Sequence, residues 1–175
     1  MDEEGLSKDR TLLATCHVGV MYYGAWHCRQ EAGLPRDIIM AVRFEAPDGA
    51  VTSNPSLDFI EERIRNGGNA FWETGSCDAS LIHEISGNWL VLMVKPNIGC
   101  YIRFTPATGI DEYVLVDPAS QKNASQEIFL YPGGEEMHVL GDQLVGVDLT
   151  MSVISRFINN GERLLSAKWV IVGME

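Results

Sequence analysis

The chain has 175 residues, and its 24 Asp and Glu residues outnumber its 13 Lys and Arg residues, which gives a net charge of −11. This length fits a single domain that buries a core without disulfides or a metal. The negative charge repels phosphate polymers and anionic lipids, so it argues against direct binding to nucleic acid or to a membrane surface and favours a basic partner. The alternative is that the acidity serves only solubility.

The sequence also indicates a cellular compartment. No apolar run approaches the roughly 20 residues of a membrane-spanning helix, and the first ten residues, MDEEGLSKDR, are unlike a secretory signal. We therefore expect a cytoplasmic protein. The cysteines form no CxxC pair or disulfide framework, which predicts reduced thiols at Cys16, Cys28, Cys77 and Cys100.

The chain is predicted to consist of a flexible polar lead, residues 1–10, and a single domain, residues 11–175. Strands are expected in residues 11–28 and at residues 38–44, and a turn at Pro47-Asp48-Gly49.

A helix is predicted at residues 57–65, because Asn54-Pro55-Ser56 before it supplies a capping residue and a proline. Gly67-Gly68 is expected to end this helix. The apolar residues that share one helical face are Leu57, Ile60 and Ile64.

From residue 79 onward, apolar runs of strand length alternate with short turns that contain Gly, Pro or Asn. Sequential strands joined by short turns favour an antiparallel meander. The predicted strands are 80–85, 89–94, 100–104, 113–116, 128–131 and 137–140.

The C-terminal stretch predicts a second helix and a last strand. Asp148 is the expected N-cap, and Asn159-Asn160-Gly161 is the expected end. A strand at 168–172 should pack against this helix. The fold class predicted from all elements is α+β: a curved antiparallel sheet with helices packed on one face. The apolar residues at helical spacing are Met151, Ile154, Phe157 and Ile158.

The motifs of enzymes are mostly missing from the sequence. There is no Gly-rich phosphate loop, no GxSxG elbow and no HExxH motif. The dipeptides Cys16-His17 and His27-Cys28 resemble metal ligands, but neighbouring strand residues point to opposite faces, so only two of the four ligands of a structural zinc could meet. We predict no metal and no cofactor. His138 could be a base or a pH-sensitive contact, but it is interpreted as a half-exposed strand residue. Trp26, Trp72, Trp89 and Trp169 could stack a ligand, but the apolar neighbours of Trp89 and Trp169 favour core packing.

One charge asymmetry remains. Between residues 111 and 142, Lys122 is the only basic counterpart of seven acidic residues. Such a patch can mimic phosphate toward a basic cleft, and the alternative is a solvated sheet edge whose charges prevent aggregation. The predicted partner-binding residues are Asp111, Glu112, Asp117, Glu127, Glu135, Glu136 and Asp142.

Three segments of the chain resemble a family of immunity proteins from bacterial polymorphic toxin systems. They are SLIHEISGNWLVLMVKPNIGCYIRF, EEMHVLGDQLVG and SVISRFINNGERLLSAKWV, and the likeness covers residues 57–172. The resemblance implies an α+β domain that binds and neutralises a cognate toxin domain, often a nucleic acid deaminase or nuclease, by occluding its active site. It also implies that Phe157, Gly161 and Trp169 shape the fold, and that the chain is not an enzyme.

The alternative is a small-molecule-binding or enzymatic α+β domain with a pocket in the sheet. Its acid–base groups would be His83, Glu84 and His138. A pocket lined by these side chains would favour this alternative, whereas an exposed acidic face over a closed core would favour protein binding.

Overall fold

Two stretches of the chain, residues 41–123 and 126–172, are described by a computed structural model. The predictions for the lead at 1–10, for the strands in 11–28 and for the dipeptides Cys16-His17 and His27-Cys28 lie outside these residues. So do Trp26 and the first residues of the strand predicted at 38–44.

The described residues form one open antiparallel sheet of seven strands and a separate two-stranded hairpin. The order in the large sheet is β2-β1-β3-β4-β5-β6-β9, and β7 pairs with β8. The strands are β1 (Val42–Glu45), β2 (Val51–Ser53), β3 (Ala79–His83), β4 (Asn88–Lys95), β5 (Gly99–Thr105), β6 (Glu112–Val116), β7 (Glu127–Leu130), β8 (Met137–Leu140) and β9 (Lys168–Val172).

Three α-helices pack on one face of the large sheet, which confirms the predicted α+β class. They are α1 (Leu57–Asn66), α2 (Gly68–Trp72) and α3 (Val147–Asn160). Short 3-10 turns lie at Pro118–Asn123, Pro132–Gly134 and Gly141–Gln143.

Strand β4 shows why the sheet is covered on both sides. Its side chains alternate between the faces, and Leu90 and Leu92 lie in the helix-side core while Val91 and Met93 lie in a second cluster on the other face. The β7–β8 hairpin covers part of that other face. The predicted meander therefore holds for β3 to β6, whereas β7 and β8 leave the large sheet and add a third layer. The second cluster contains Val91, Met93, Tyr101, Val114, Ile128, Leu130, Val139 and Leu144.

Helix α1 follows its sequence signals. The Ser56 side chain accepts a hydrogen bond from the Phe59 N–H (3.1 Å), and Ile60 and Ile64 are buried. The predicted end at Gly67-Gly68 is confirmed, since α1 ends at Asn66 with Gly67 as its C-cap. Gly68 then begins α2, which buries Trp72. The sequence did not predict α2 or the three-residue strand β2.

Helix α3 begins differently from the prediction that Asp148 caps it. Gly146 is the N-cap, with extended backbone angles and no side-chain cap. Asp148 lies in the first turn, where a carboxylate is favourable near the helix N-terminus, and it forms an ion pair with Arg65 at 3.1 Å. The predicted end is confirmed, since Gly161 closes the helix with a left-handed φ of 66°.

The end of α3 is fixed against the β3–β4 turn. The Gly161 carbonyl accepts a 2.7 Å hydrogen bond from the Asn88 side chain, and the His83 Nδ1 lies 2.9 Å from the Ser86 hydroxyl beside it. Phe157 is fully buried and meets the His83 ring edge-on. Phe157 and Gly161, two of the residues that the immunity-family resemblance associates with the fold, therefore lie at this turn. The third, Trp169, packs against the helix-side core.

The four tryptophans do not all pack as predicted. Trp72 is 1% exposed, and Trp169 is half-buried with its indole N–H bonded to the Leu164 carbonyl at 3.0 Å. Trp89 is 48% exposed, so its assignment to the core is wrong. It is the second residue of β4 and lies on the face away from the helices, outside the hairpin-side cluster.

We expect Gly161→Ala to lower the free energy of unfolding by roughly 2–4 kcal/mol, from the left-handed φ and the added contact together. The new methyl group would lie 2.4 Å from the His83 Nδ1. Gly109→Ala is the matched control, because Gly109 has a φ of 64° and open space around it. It should cost about 1 kcal/mol in the same denaturant titration. Equal losses in the two variants would contradict the close contact at Gly161.

Burial raises the pKa of the Cys100 thiol from 9.0 to about 11, against a smaller lowering by a hydrogen bond with Thr150. The folded state therefore keeps the proton longer than the unfolded state does. The contribution of the thiol to the free energy of unfolding should be fully present below about pH 9 and should be lost as the pH rises toward 11. This contribution should amount to roughly 2–3 kcal/mol.

The measurement is the free energy of unfolding as a function of pH, for the wild type and for Cys100→Ala. The variant should lose less stability over the alkaline range. Part of the decline should remain in both proteins, because burial also raises the pKa of Tyr101. Parallel pH profiles would show that the thiol does not contribute.

Candidate functional site

The β7–β8 hairpin presents an outer face that is aromatic as well as acidic. Ile128, Leu130 and Val139 point inward to the sheet, so the residues between them point outward. Three outward side chains are large and apolar, and they are 39%, 45% and 46% exposed at Phe129, Tyr131 and Leu140. We call the outward residues the hairpin face: Glu127, Phe129, Tyr131, Glu136, His138 and Leu140.

Close contacts join the side chains of the hairpin face. Phe129 lies opposite His138, with the two rings edge-on at 4.6 Å. The Tyr131 hydroxyl donates to the Glu136 carboxylate at 3.3 Å, and that carboxylate lies 3.2 Å from the His138 Nε2. Glu127, opposite Leu140, lies 4.0 Å from the other nitrogen of the His138 ring.

The charge of the hairpin differs from the charge of the rest of the surface. Most glutamates elsewhere in the described residues pair with Arg or Lys, as in Arg65–Glu61, Arg103–Glu112 and Arg156–Glu162. No Lys or Arg occurs in the sequence between Lys122 and Arg156. Among the described side chains, the hairpin glutamates have only His138 as a basic contact. Within residues 41–123 and 126–172, no Lys or Arg side chain therefore compensates their negative charge.

Five of the seven predicted partner-binding residues lie on or beside the hairpin. Glu127, Glu135 and Glu136 belong to it. Asp117 and Asp142 meet at one end of it, where the Asp117 N–H donates to the Asp142 carbonyl at 2.8 Å. The Asp117 carboxylate also accepts from the Ala119 N–H, so it caps a 3-10 turn. One carboxylate oxygen of Asp142 is buried without a hydrogen-bond partner among the described residues.

The other two predicted residues lie apart from this group. Asp111 precedes β6 and Asp117 follows it, so the two are roughly 20 Å apart along the extended strand. Glu112 pairs with Arg103 at 3.3 Å, and Asp111 accepts a hydrogen bond from the Tyr113 hydroxyl. The fold therefore divides the acidic stretch into two separate groups.

The sequence predicted partner binding for the acidic residues of the hairpin but not for its apolar residues. Phe129, Tyr131 and Leu140 were assigned only to strands. A signal for them existed, because a strand that buries Ile128 and Leu130 must turn Phe129 and Tyr131 outward. What the alternation leaves open is which of the two sets faces the core.

The side chains of the three candidate acid–base residues of the enzymatic alternative do not meet in one site, although His83 and Glu84 are consecutive in sequence. His83 is buried on the helix side and bonded to Ser86, while Glu84 pairs with Arg43 at 3.5 Å on the surface. His138 lies on the hairpin face, on the other side of the sheet. A cleft of about 690 Å³ beside the start of α3 and one of about 350 Å³ between α2 and the hairpin include none of the three in their linings.

The described stretches, residues 41–123 and 126–172, contain no group of three or more His, Cys, Asp or Glu side chains arranged to hold a metal ion. None of their helices has the length and apolar character needed to span a bilayer.

Neither a family model nor a curated protein matches the chain. The immunity-family resemblance thus stays a prediction that rests on the quoted segments.

The pKa of Tyr131 is raised, and the largest cause is the negative charge of Glu136. Desolvation of the phenol and its hydrogen bond with Glu136 raise the pKa further. We expect Glu136→Gln to lower the pKa of Tyr131 in an NMR titration of the tyrosine rings, with Tyr131→Phe used for assignment. Glu135→Gln is the matched control, because no contact joins Glu135 to Tyr131 among the described hydrogen bonds. An equal effect of the two variants would show that the general charge of the hairpin, and not this contact, controls Tyr131.

Proposed function

We propose that this chain is an immunity protein of the cytoplasm that binds and neutralises a cognate bacterial toxin domain, a nucleic acid deaminase or nuclease, by occluding its active site. The observation that carries the proposal is the hairpin face, where exposed aromatic and aliphatic side chains lie among carboxylates without Lys or Arg partners in the described part of the chain.

A protein partner fits the composition of this surface. Aromatic side chains are enriched at the centre of protein interfaces, and charged groups surround them at the rim. Phe129 and Tyr131 would supply the centre, and Glu127, Glu135 and Glu136 the rim. A purely solubilising surface would not expose three large apolar side chains on one short hairpin.

The size of the hairpin indicates how far the interface extends. Two four-residue strands cover an area of roughly 14 by 10 Å, well below the ~800 Å² per partner of a standard interface. The binding surface should therefore include Asp117 and Asp142 at one end of the hairpin and the Pro132–Gly134 turn at the other.

The charge of the surface favours an enzyme that acts on nucleic acid. Such an enzyme needs a basic cleft to hold phosphates, and clustered carboxylates compete for the same cleft. Association should then be fast and sensitive to salt. This is an expectation about the partner's chemistry, and the resemblance described above supports it independently of the charge.

The direct test is co-expression with the C-terminal domain encoded by the adjacent upstream reading frame. Cells that carry both genes should survive where cells with the toxin gene alone die, and the two proteins should co-purify. A toxic neighbour that this chain neither binds nor neutralises would overturn the proposal.

Charge-reversal variants of this chain test which of its surfaces binds the toxin. Glu135→Lys with Glu136→Lys should raise the Kd about 100-fold at low salt and reduce its salt dependence, because two rim attractions become repulsions. Asp58→Lys with Glu62→Lys, on the exposed side of α1, is the matched control with the same change of charge. It should change the Kd less than about threefold.

The readout is calorimetric titration at two salt concentrations, with thermal denaturation to confirm that both variants are folded. Equal losses of affinity in the two variants would mean that net charge alone matters. An unchanged Kd in the hairpin variant would place the interface elsewhere.

A further inference from the structure

Two tyrosines among the described residues donate a hydrogen bond to a nearby carboxylate at the same distance. The Tyr113 hydroxyl donates to Asp111 at 3.3 Å, and the Tyr131 hydroxyl donates to Glu136 at 3.3 Å. In each pair the phenol ring is next to an anion, which makes the ring face more attractive to a cation.

In the described part of the chain, a cation stacks on the tyrosine ring of the first pair only. The Arg163 guanidinium carbon lies 3.5 Å from the centroid of the Tyr113 ring. Arg63 stacks in the same way on Phe59 at 3.4 Å. No such contact is made to Tyr131 by the described residues, whose cation–aromatic contacts all lie elsewhere.

An arginine has a group suited to each member of such a pair. Its planar guanidinium can stack on an aromatic ring, as Arg163 does on Tyr113, and its N–H groups can donate hydrogen bonds to a carboxylate. A lysine ammonium is a strongly hydrated point charge, so it gains less from the ring. The Tyr131–Glu136 pair is exposed and lies where no Lys or Arg is close in sequence, so its complement must come from outside the hairpin.

We propose that the hairpin face binds an arginine side chain of the partner protein, with the guanidinium stacked on Tyr131 and hydrogen-bonded to Glu136. This inference rests on the proposed function and specifies the chemistry of the toxin surface that is recognised. The neighbouring Phe129 ring, edge-on to His138, offers an apolar surface for the arginine stem.

The negative charge of the chain argues against three other occupants of this face. A second copy would place the carboxylates of one hairpin against those of another, and each chain carries a net charge of −11. Nucleic acid and anionic membranes are repelled for the same reason. A basic protein surface has the opposite charge, and arginine on that surface fits the stacked geometry as well.

The test uses the full chain and two peptides, one of alternating glycine and arginine and one of alternating glycine and lysine, matched in length and charge. NMR titration at low salt should show shifts centred on the Tyr131 ring and on the hairpin amides. The arginine peptide should bind about five- to tenfold more tightly than the lysine peptide, a ratio typical of one good stacking contact.

Variants assign the preference to the proposed pair. Tyr131→Leu and Glu136→Gln should each reduce the arginine-to-lysine ratio to about one, and Tyr131→Phe should keep most of it because the ring remains. Trp89→Leu is the control, since Trp89 is an exposed aromatic residue outside the hairpin. It should leave the ratio unchanged.

Equal binding of the two peptides to the wild type, or an arginine preference that survives Tyr131→Leu, would overturn the inference. The cell-survival assay separates it from the proposed function. Survival without an arginine preference would refute only the recognition of arginine. An arginine preference without survival would support the arginine site and refute immunity.

Discussion

The constraint on which the structure depends is the burial of β4 and β5 on both faces. In β4, Leu90 and Leu92 face the helices while Val91 and Met93 face the hairpin. Since side chains alternate along a strand, such a strand needs an apolar layer on each side. The helices supply one layer, and the β7–β8 hairpin supplies the other. This requirement places Ile128, Leu130 and Val139 inward and thereby decides which residues form the hairpin face.

The hairpin could not provide a binding surface by itself. An isolated two-stranded hairpin is marginally stable in water. Here its inward residues pack against Val91, Met93 and Tyr101, which are 4%, 2% and 5% exposed. The sheet therefore fixes the backbone, and the outward side chains are positioned before any partner arrives. Preorganisation of this kind lowers the entropy cost of association.

Scaffold and surface occupy different parts of the chain. Phe157, Gly161 and Trp169, which the family resemblance associates with the fold, pack in or beside the helix-side core and contact the β3–β4 turn or Phe104. The hairpin face lies across the sheet from them. Changes on this face can alter the binding partner without disturbing the core, which suits the proposed recognition of one cognate toxin.

The sequence by itself determined the α+β class, both long helices, the positions of most strands and the acidic stretch between residues 111 and 142. These features are local, because hydrophobic periodicity and Gly, Pro and capping signals act over a few residues. The first turn of α3 was misread because Gly146 and Asp148 both suit a helix start, and only the path of the chain into Val147 selects between them.

Tertiary structure decided the rest. It moved β7 and β8 out of the meander, divided the acidic stretch by separating Asp111 and Glu112 from the hairpin, and exposed Trp89. It also turned Phe129 and Tyr131 toward solvent. When both alternating sets of residues in a strand are apolar, the sequence does not indicate which set faces the core. Only packing against the sheet determines which face is buried.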